Sequence, residues 1–102
     1  MTTWHPLFPA DELEEGMPRA HTCAGKRLAL FRVGDAVFAT AELCTHGQVS
    51  LCDGWQEGAM IECPLHQGQF DVRDGKPLCA PATEPLHTYA TRVLNGAIEV
   101  SL

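Results

Sequence analysis

Apolar residues alternate with polar ones in short runs along this chain, and turn-forming residues interrupt the runs repeatedly. That two-residue period is the mark of half-buried strands. The clearest run is 27–33, with Ala29, Phe31 and Val33 on one face and Leu28 and Leu30 on the other. Gly34-Asp35 follows as a two-residue hairpin signal, and 36–41 reads as the return strand. Towards the other end, 88–94 and 97–102 flank Asn95-Gly96, the strongest hairpin signal in the chain. Weaker strands are expected over 3–8 and 17–23. Between them, 9–13 resembles a single helical turn stopped by Gly16. Residues 59–62 and 69–73 read as short strands, and Asp53-Gly54, Glu57-Gly58 and Asp74-Gly75 as turns. Pro77, Pro81 and Pro85 predict loop over the stretch that contains them. Nowhere does a helical period persist for three turns. The pattern predicts one all-β domain, an antiparallel sandwich or barrel.

Composition narrows the classes. A chain of 102 residues suits a single domain with a modest core. The net charge of −6 argues against nucleic acid and anionic membrane surfaces, and suits a basic patch on a protein partner. No apolar run approaches 18 residues, so no membrane span is expected. The first sixteen residues carry no Lys or Arg but include Asp11, Glu12, Glu14 and Glu15, unlike a secretory leader. A cytoplasmic chain with reduced thiols is expected. Cys23, Cys52 and Cys79 are then read as small hydrophobes. His5, His21 and His87 are read as surface or structural residues, and Trp4, Trp55, Phe70 and Tyr89 as core or shielding.

Two short stretches remain: Cys44-Thr45-His46-Gly47 and Cys63-Pro64-Leu65-His66. Each carries one cysteine and one histidine, and sixteen residues separate His46 from Cys63. Two thiolates and two imidazoles complete one four-ligand site. Mixed pairs on two loops also suit two metals held side by side, each loop giving one ligand to each. Thiolate is the soft, anionic donor that iron–sulfur clusters need. The same four residues are a zinc ligand set, although zinc fingers usually pair Cys with Cys and His with His. A Cys/His nucleophile is a third reading, but no third orienting residue accompanies it.

The pattern Cys-x-His…Cys-x-x-His resembles the Rieske signature. That resemblance implies one [2Fe–2S] cluster, with Cys44 and Cys63 on one iron and His46 and His66 on the other. It also implies a base of about 1–42 and 83–102 carrying a cluster-binding subdomain of about 43–82. Gly47 and Gly68 would let backbone amides approach the sulfurs, and Pro64 and Pro81 would stiffen the loops. Leu65, Gln67 and Pro81 would rim the surface through which electrons leave.

The resemblance narrows further. Respiratory Rieske proteins add one cysteine to each ligand loop, joined as a disulfide. The matching positions here are Val49 and Leu65. Their Ser and Tyr hydroxyls near the cluster are replaced by Gly68 and Phe70. Large oxygenase subunits add a long mononuclear-iron domain, for which 102 residues leave no room. The run from Cys63 to Val72, with Gly75-Lys76 and Leu78-Cys79-Ala80-Pro81, is most similar to ferredoxins of bacterial aromatic-ring dioxygenases of the naphthalene type. Such a protein is an electron carrier, not an enzyme. Its implied partners are an NAD(P)H-dependent flavoprotein ferredoxin reductase and a terminal Rieske oxygenase. A Rieske subunit of another reductase, such as nitrite reductase, is the competing reading.

Overall fold

The computed structural model describes residues 2–45, 48–65, 67–80 and 82–102. Eleven strands occur among these residues: β1 Trp4–Pro9, β2 Arg19–Cys23, β3 Lys26–Val33, β4 Ala36–Ala41, β5 Trp55–Glu57, β6 Met60–Glu62, β7 Gln69–Asp71, β8 Pro77–Cys79, β9 Thr88–Tyr89, β10 Thr91–Leu94 and β11 Ala97–Ser101. They form three antiparallel sheets, ordered β1-β11-β10, β2-β3-β4-β9 and β5-β6-β7-β8. The expected all-β class is what folds. Among the described residues, no helix is long and apolar enough to cross a membrane.

Strand β3 explains the layering. Its alternation is apolar on both faces, so it must be covered twice. Leu28 and Leu30 enter one core with Phe8, Leu13, Val37, Ala39, Ile98 and Val100. Ala29 and Phe31 enter a second with Cys44, Leu51, Ile61, Cys63, Phe70, Val72, Ala82 and Leu86. The β3–β4 pairing sets Phe31 opposite Phe38 and Leu30 opposite Ala39, which fixes which residues reach each core. Cys44 and Cys63, the cysteines of the expected ligand pattern, thus both lie in the second core.

Three expectations need correction. Residues 88–94 are not one strand. Thr88 and Tyr89 pair with β4 and Thr91–Leu94 with β11, the switch falling at Ala90. The prolines after β7 do not exclude a strand, because Pro77 opens β8 at the edge of its sheet, where a missing N–H is tolerated. Trp55–Glu57 is a strand, although turn signals lie on both sides of it. The Asn95-Gly96 expectation holds: both residues have positive φ, 52° and 81°, as the two-residue turn between β10 and β11 requires.

Candidate metal centre

The first ligand loop leaves β4 at Ala41. The Glu42 amide donates to the Arg27 carbonyl at 3.0 Å, holding the loop's entry against β3. Cys44 N–H donates to the Val49 carbonyl at 3.0 Å, and Leu51 N–H to the Glu42 carbonyl at 2.8 Å. The loop therefore returns beside its own start. A short 3-10 turn, Leu51–Asp53, follows, and the Ser50 hydroxyl accepts from the Cys52 amide at 3.2 Å to cap it. Thr45 Oγ1 donates to the Glu84 carbonyl at 3.0 Å and pins the loop to the segment before β9.

The second loop joins β6 to β7. Cys63 N–H donates to the Gly68 carbonyl at 2.7 Å, and Leu65 N–H points to Cys63 Sγ at 3.4 Å. Among the described residues of this loop the left-handed one is Gln67, φ 62°, and not Gly68. A non-glycine residue in that region carries local strain, which concentrates at functional loops. Gly54 brings the two loops' supports together: a Cβ there would lie 2.0 Å from the Glu62 carbonyl oxygen.

Cys44 and Cys63 meet in the core, 4% and 0% exposed. Burial first, then the Cys44 thiol beside it, pushes the Cys63 thiol up to about 11, while the Leu65 amide opposes. None of the five cysteines forms a disulfide. A buried pair of adjacent sulfurs, with the Leu65 amide pointed at one of them, fits a soft cation, which would take both as thiolates. Among the described residues, no three His, Cys, Asp or Glu side chains are gathered to hold a metal ion. His46 and His66, and the expectations for Gly47 and Pro81, lie outside the described residues.

The remaining assignments divide. Phe70 is fully buried beside the cysteines, as shielding requires. Trp55 is 65% exposed and shields nothing, and Trp4 is also outward. Cys79 is exposed rather than a core residue. Cys52 is half-buried against the cysteine core, and burial pushes its thiol up to about 11, assisted by Glu42 and Asp53 and opposed by Ser50. Leu65 is half-buried and packs against the same core, whereas Gln67 is exposed. The His21 ring lies 5.5 Å from Phe8 and the His87 ring 4.5 Å from Tyr89, each pair tilted against the other.

Two supporting residues escaped sequence reading. Glu42 is a buried carboxylate two positions before Cys44, paired with Arg27 at 2.9 Å. Gln56 is buried and binds three backbone groups: it accepts from Gly16 N–H at 3.2 Å and donates to the carbonyls of Arg32 at 2.8 Å and Gly58 at 3.0 Å. It ties β5 to the end of β3. Its only signal is the polar residue between Trp55 and Glu57, which reads equally well as solvent-facing.

Over residues 3–90 the chain matches the Rieske [2Fe–2S] domain. It is 45% identical to the anthranilate 1,2-dioxygenase ferredoxin subunit of Burkholderia cepacia, over 100% of this chain and 94% of that one. It is 43% identical to the ferredoxin component of the naphthalene 1,2-dioxygenase system of Pseudomonas putida, over 97% and 95%. A solved complex of reduced oxygenase and oxidised ferredoxin in carbazole 1,9a-dioxygenase contains a chain with a TM-score of 0.91 and 38% identity. That match covers 96% of this chain and 92% of its counterpart.

Proposed function

The chain belongs to the Rieske [2Fe–2S] domain family, and from that premise we propose that it carries single electrons from a flavoprotein ferredoxin reductase to a terminal Rieske oxygenase of an aromatic-ring dioxygenase system. It is an electron-transfer component and not itself a catalyst. Its cofactor is one Rieske-type [2Fe–2S] cluster. In our reading, Cys44 and Cys63 hold one iron and His46 and His66 the other. The observation that carries this reading is the meeting of two buried thiols at the mouths of two loops closed alike.

When bound, the cluster takes up and returns one electron. The chain's own residues do the rest. Phe70, Leu51 and Ile61 exclude water from the sulfurs, which keeps hydrogen bonds and charges there strong. Leu65 N–H offers a donor to the Cys63 sulfur, favouring negative charge on it. The backbone bonds of both loops hold the cysteines in place, so little rearrangement accompanies a change of charge. The division into a base of about 1–42 and 83–102 and a cluster-binding part of about 43–82 is supported by the separate β5-β6-β7-β8 sheet. The part is not independent, because Ala29 and Phe31 of β3 complete its core. A cytoplasmic location belongs to the same reading.

The test is an electron paramagnetic resonance spectrum of the reduced protein, with iron and labile sulfide assays. Two irons and two sulfides per chain, a Rieske signal and transfer to an oxygenase are expected. A colourless protein containing zinc would overturn the proposal.

A further inference from the structure

Strand β5 turns Gln56 inward, so Trp55 and Glu57 face out, and Trp55, 65% exposed, is more exposed than any other Trp, Tyr or Phe of the chain. The ladder sets Glu62 directly opposite Trp55, on the same outer face. Trp55 Nε1 donates to Glu57 Oε2 at 3.4 Å, which orients the indole. Asp53, also exposed, lies two residues earlier. Glu62 Oε1 accepts from Gln69 Nε2 at 3.0 Å, a neutral partner that leaves its charge uncompensated, and among the described residues none of these three carboxylates has a cationic partner.

The chain shows twice what such a set accepts. Arg92 lies over Trp4 at 4.2 Å and pairs with Glu99 at 2.7 Å. Arg19 lies over Phe8 at 4.0 Å and pairs with Glu12 at 3.1 Å. In each, a guanidinium rests on a ring while a carboxylate holds its edge. At Trp55 the ring and the carboxylates are present and the cation is not. The chain has no arginine to supply it. Arg27 and Arg73 are paired with Glu42 and Asp71, and Arg32 donates to the carbonyls of Leu13 and Ala10.

We infer that the Trp55 face receives an arginine or lysine side chain of the terminal oxygenase, held between the indole and the carboxylates of Glu57 and Glu62. The inference rests on the carrier reading above. Its position fits: Glu62, opposite Trp55, leads directly into Cys63, so the Trp55 face adjoins the start of the second ligand loop. A net charge of −6 makes a basic counterpart the complementary surface. An exposed tryptophan beside carboxylates is also the residue type that concentrates binding energy.

The experiment uses holo-protein and the oxygenase component of Burkholderia cepacia anthranilate 1,2-dioxygenase, measuring Kd and single-turnover electron transfer. Trp55→Ala should weaken binding about tenfold, the scale of a desolvated cation–π contact, and Trp55→Phe much less. Glu57→Gln should weaken binding a few-fold and flatten its salt dependence. The visible spectrum and reduction by the reductase should stay unchanged. A Kd within twofold of wild type for Trp55→Ala overturns the inference. So does an equal loss towards reductase and oxygenase, which would make the face common to both. Wild-type protein that neither binds nor reduces the oxygenase overturns the carrier reading itself, and the docking with it.

Discussion

The amide of Cys44 donates to the carbonyl of Val49, and the amide of Cys63 donates to the carbonyl of Gly68, so the two cysteines close their loops with the same bond to the fifth residue on. Both sulfurs then turn into the one core that holds Phe70, Ile61 and Leu51. Two loops far apart in sequence are thereby built to one plan, and each presents a thiol to the same place.

Replacing either thiol should abolish the site. Cys44→Ser and Cys63→Ser should each give protein lacking visible absorbance and stoichiometric iron, because the hard hydroxyl is a poor ligand for this metal chemistry. Cys79→Ser, at an exposed position outside the core, should keep a normal cluster. Iron and sulfide assays on the three purified variants decide this. A normal cluster in either of the first two would refute the ligand assignment.

What the sequence disclosed follows from how local each signal is. The two faces of β3 and the Asn95-Gly96 turn are written in adjacent residues, and they fold as read. That Cys44 and Cys63 share one core was foreshadowed by the paired pattern around them. The break at Ala90 was not, because it depends on β4 and β11 competing for one apolar-alternating run. Gln56 and Trp55 show the same limit. Which of two neighbours on a short strand turns inward is settled by the sheet behind it, not by their side chains. Gln56 goes in because Gly16, Arg32 and Gly58 offer it backbone partners there.

That accounting makes Gln56 a test of how firmly the β5 sheet is held. Gln56→Ala leaves one backbone amide and two carbonyls without this partner. At about 1–3 kcal/mol for buried unsatisfied groups, the melting temperature should fall by roughly 10 °C. Thermal unfolding followed by circular dichroism measures it. A fall of less than about 2 °C would mean that water replaces the side chain without loss.

Gly54 should be equally intolerant for a steric reason. A Cβ there would meet the Glu62 carbonyl at 2.0 Å, backbone against backbone, so no side chain can move aside. Gly54→Ala should cost about 2–4 kcal/mol and weaken cluster retention, since Glu62 adjoins Cys63. Denaturant midpoints of the two proteins test the first effect, and the loss of visible absorbance on standing tests the second.

Asp71 gives the fold part of its acid sensitivity. The Arg73 side chain, 2.7 Å away, holds its carboxyl below the usual carboxylate range, with burial opposing. A depressed folded value stabilises above the unfolded pKa, about 3.9, and that stabilisation is lost as pH falls through the folded value. Asp71→Asn should therefore flatten the decline in stability below about pH 4 and change little near neutrality beyond a constant offset. Arg73 is largely exposed, so the effect should be modest and should shrink in high salt. Unfolding midpoints across pH 2.5–7 (about that range brackets the usual carboxylate values) would show identical acid limbs if the pair contributes nothing.

The reduction potential offers the sharpest test of the site's electrostatics. Where respiratory Rieske proteins place hydroxyl donors, this chain has Gly68 and Phe70, and no disulfide joins the ligand loops. Phe70 is completely buried in the core with both cysteines, so its ring presents only carbon to the site. The Leu65 amide points at the Cys63 sulfur from 3.4 Å, a backbone donor that neither substitution below removes. Donors stabilise the more negative, reduced state, so without hydroxyls at positions 68 and 70 the site should lie near the lower end of the Rieske range, about −150 mV. Phe70→Tyr adds a hydroxyl in that core and Gly68→Ser adds one beside the loop closure. Each should raise the potential by tens of millivolts, about 30 mV corresponding to roughly 0.7 kcal/mol for one electron. Gly68→Ser carries the cleaner signal, because its carbonyl bond to Cys63 N–H does not depend on the side chain. Redox titration of wild type and both variants measures this. A wild-type value above zero, or variants that do not move upward, would show that burial of the two thiolates, not the count of donors, sets the potential.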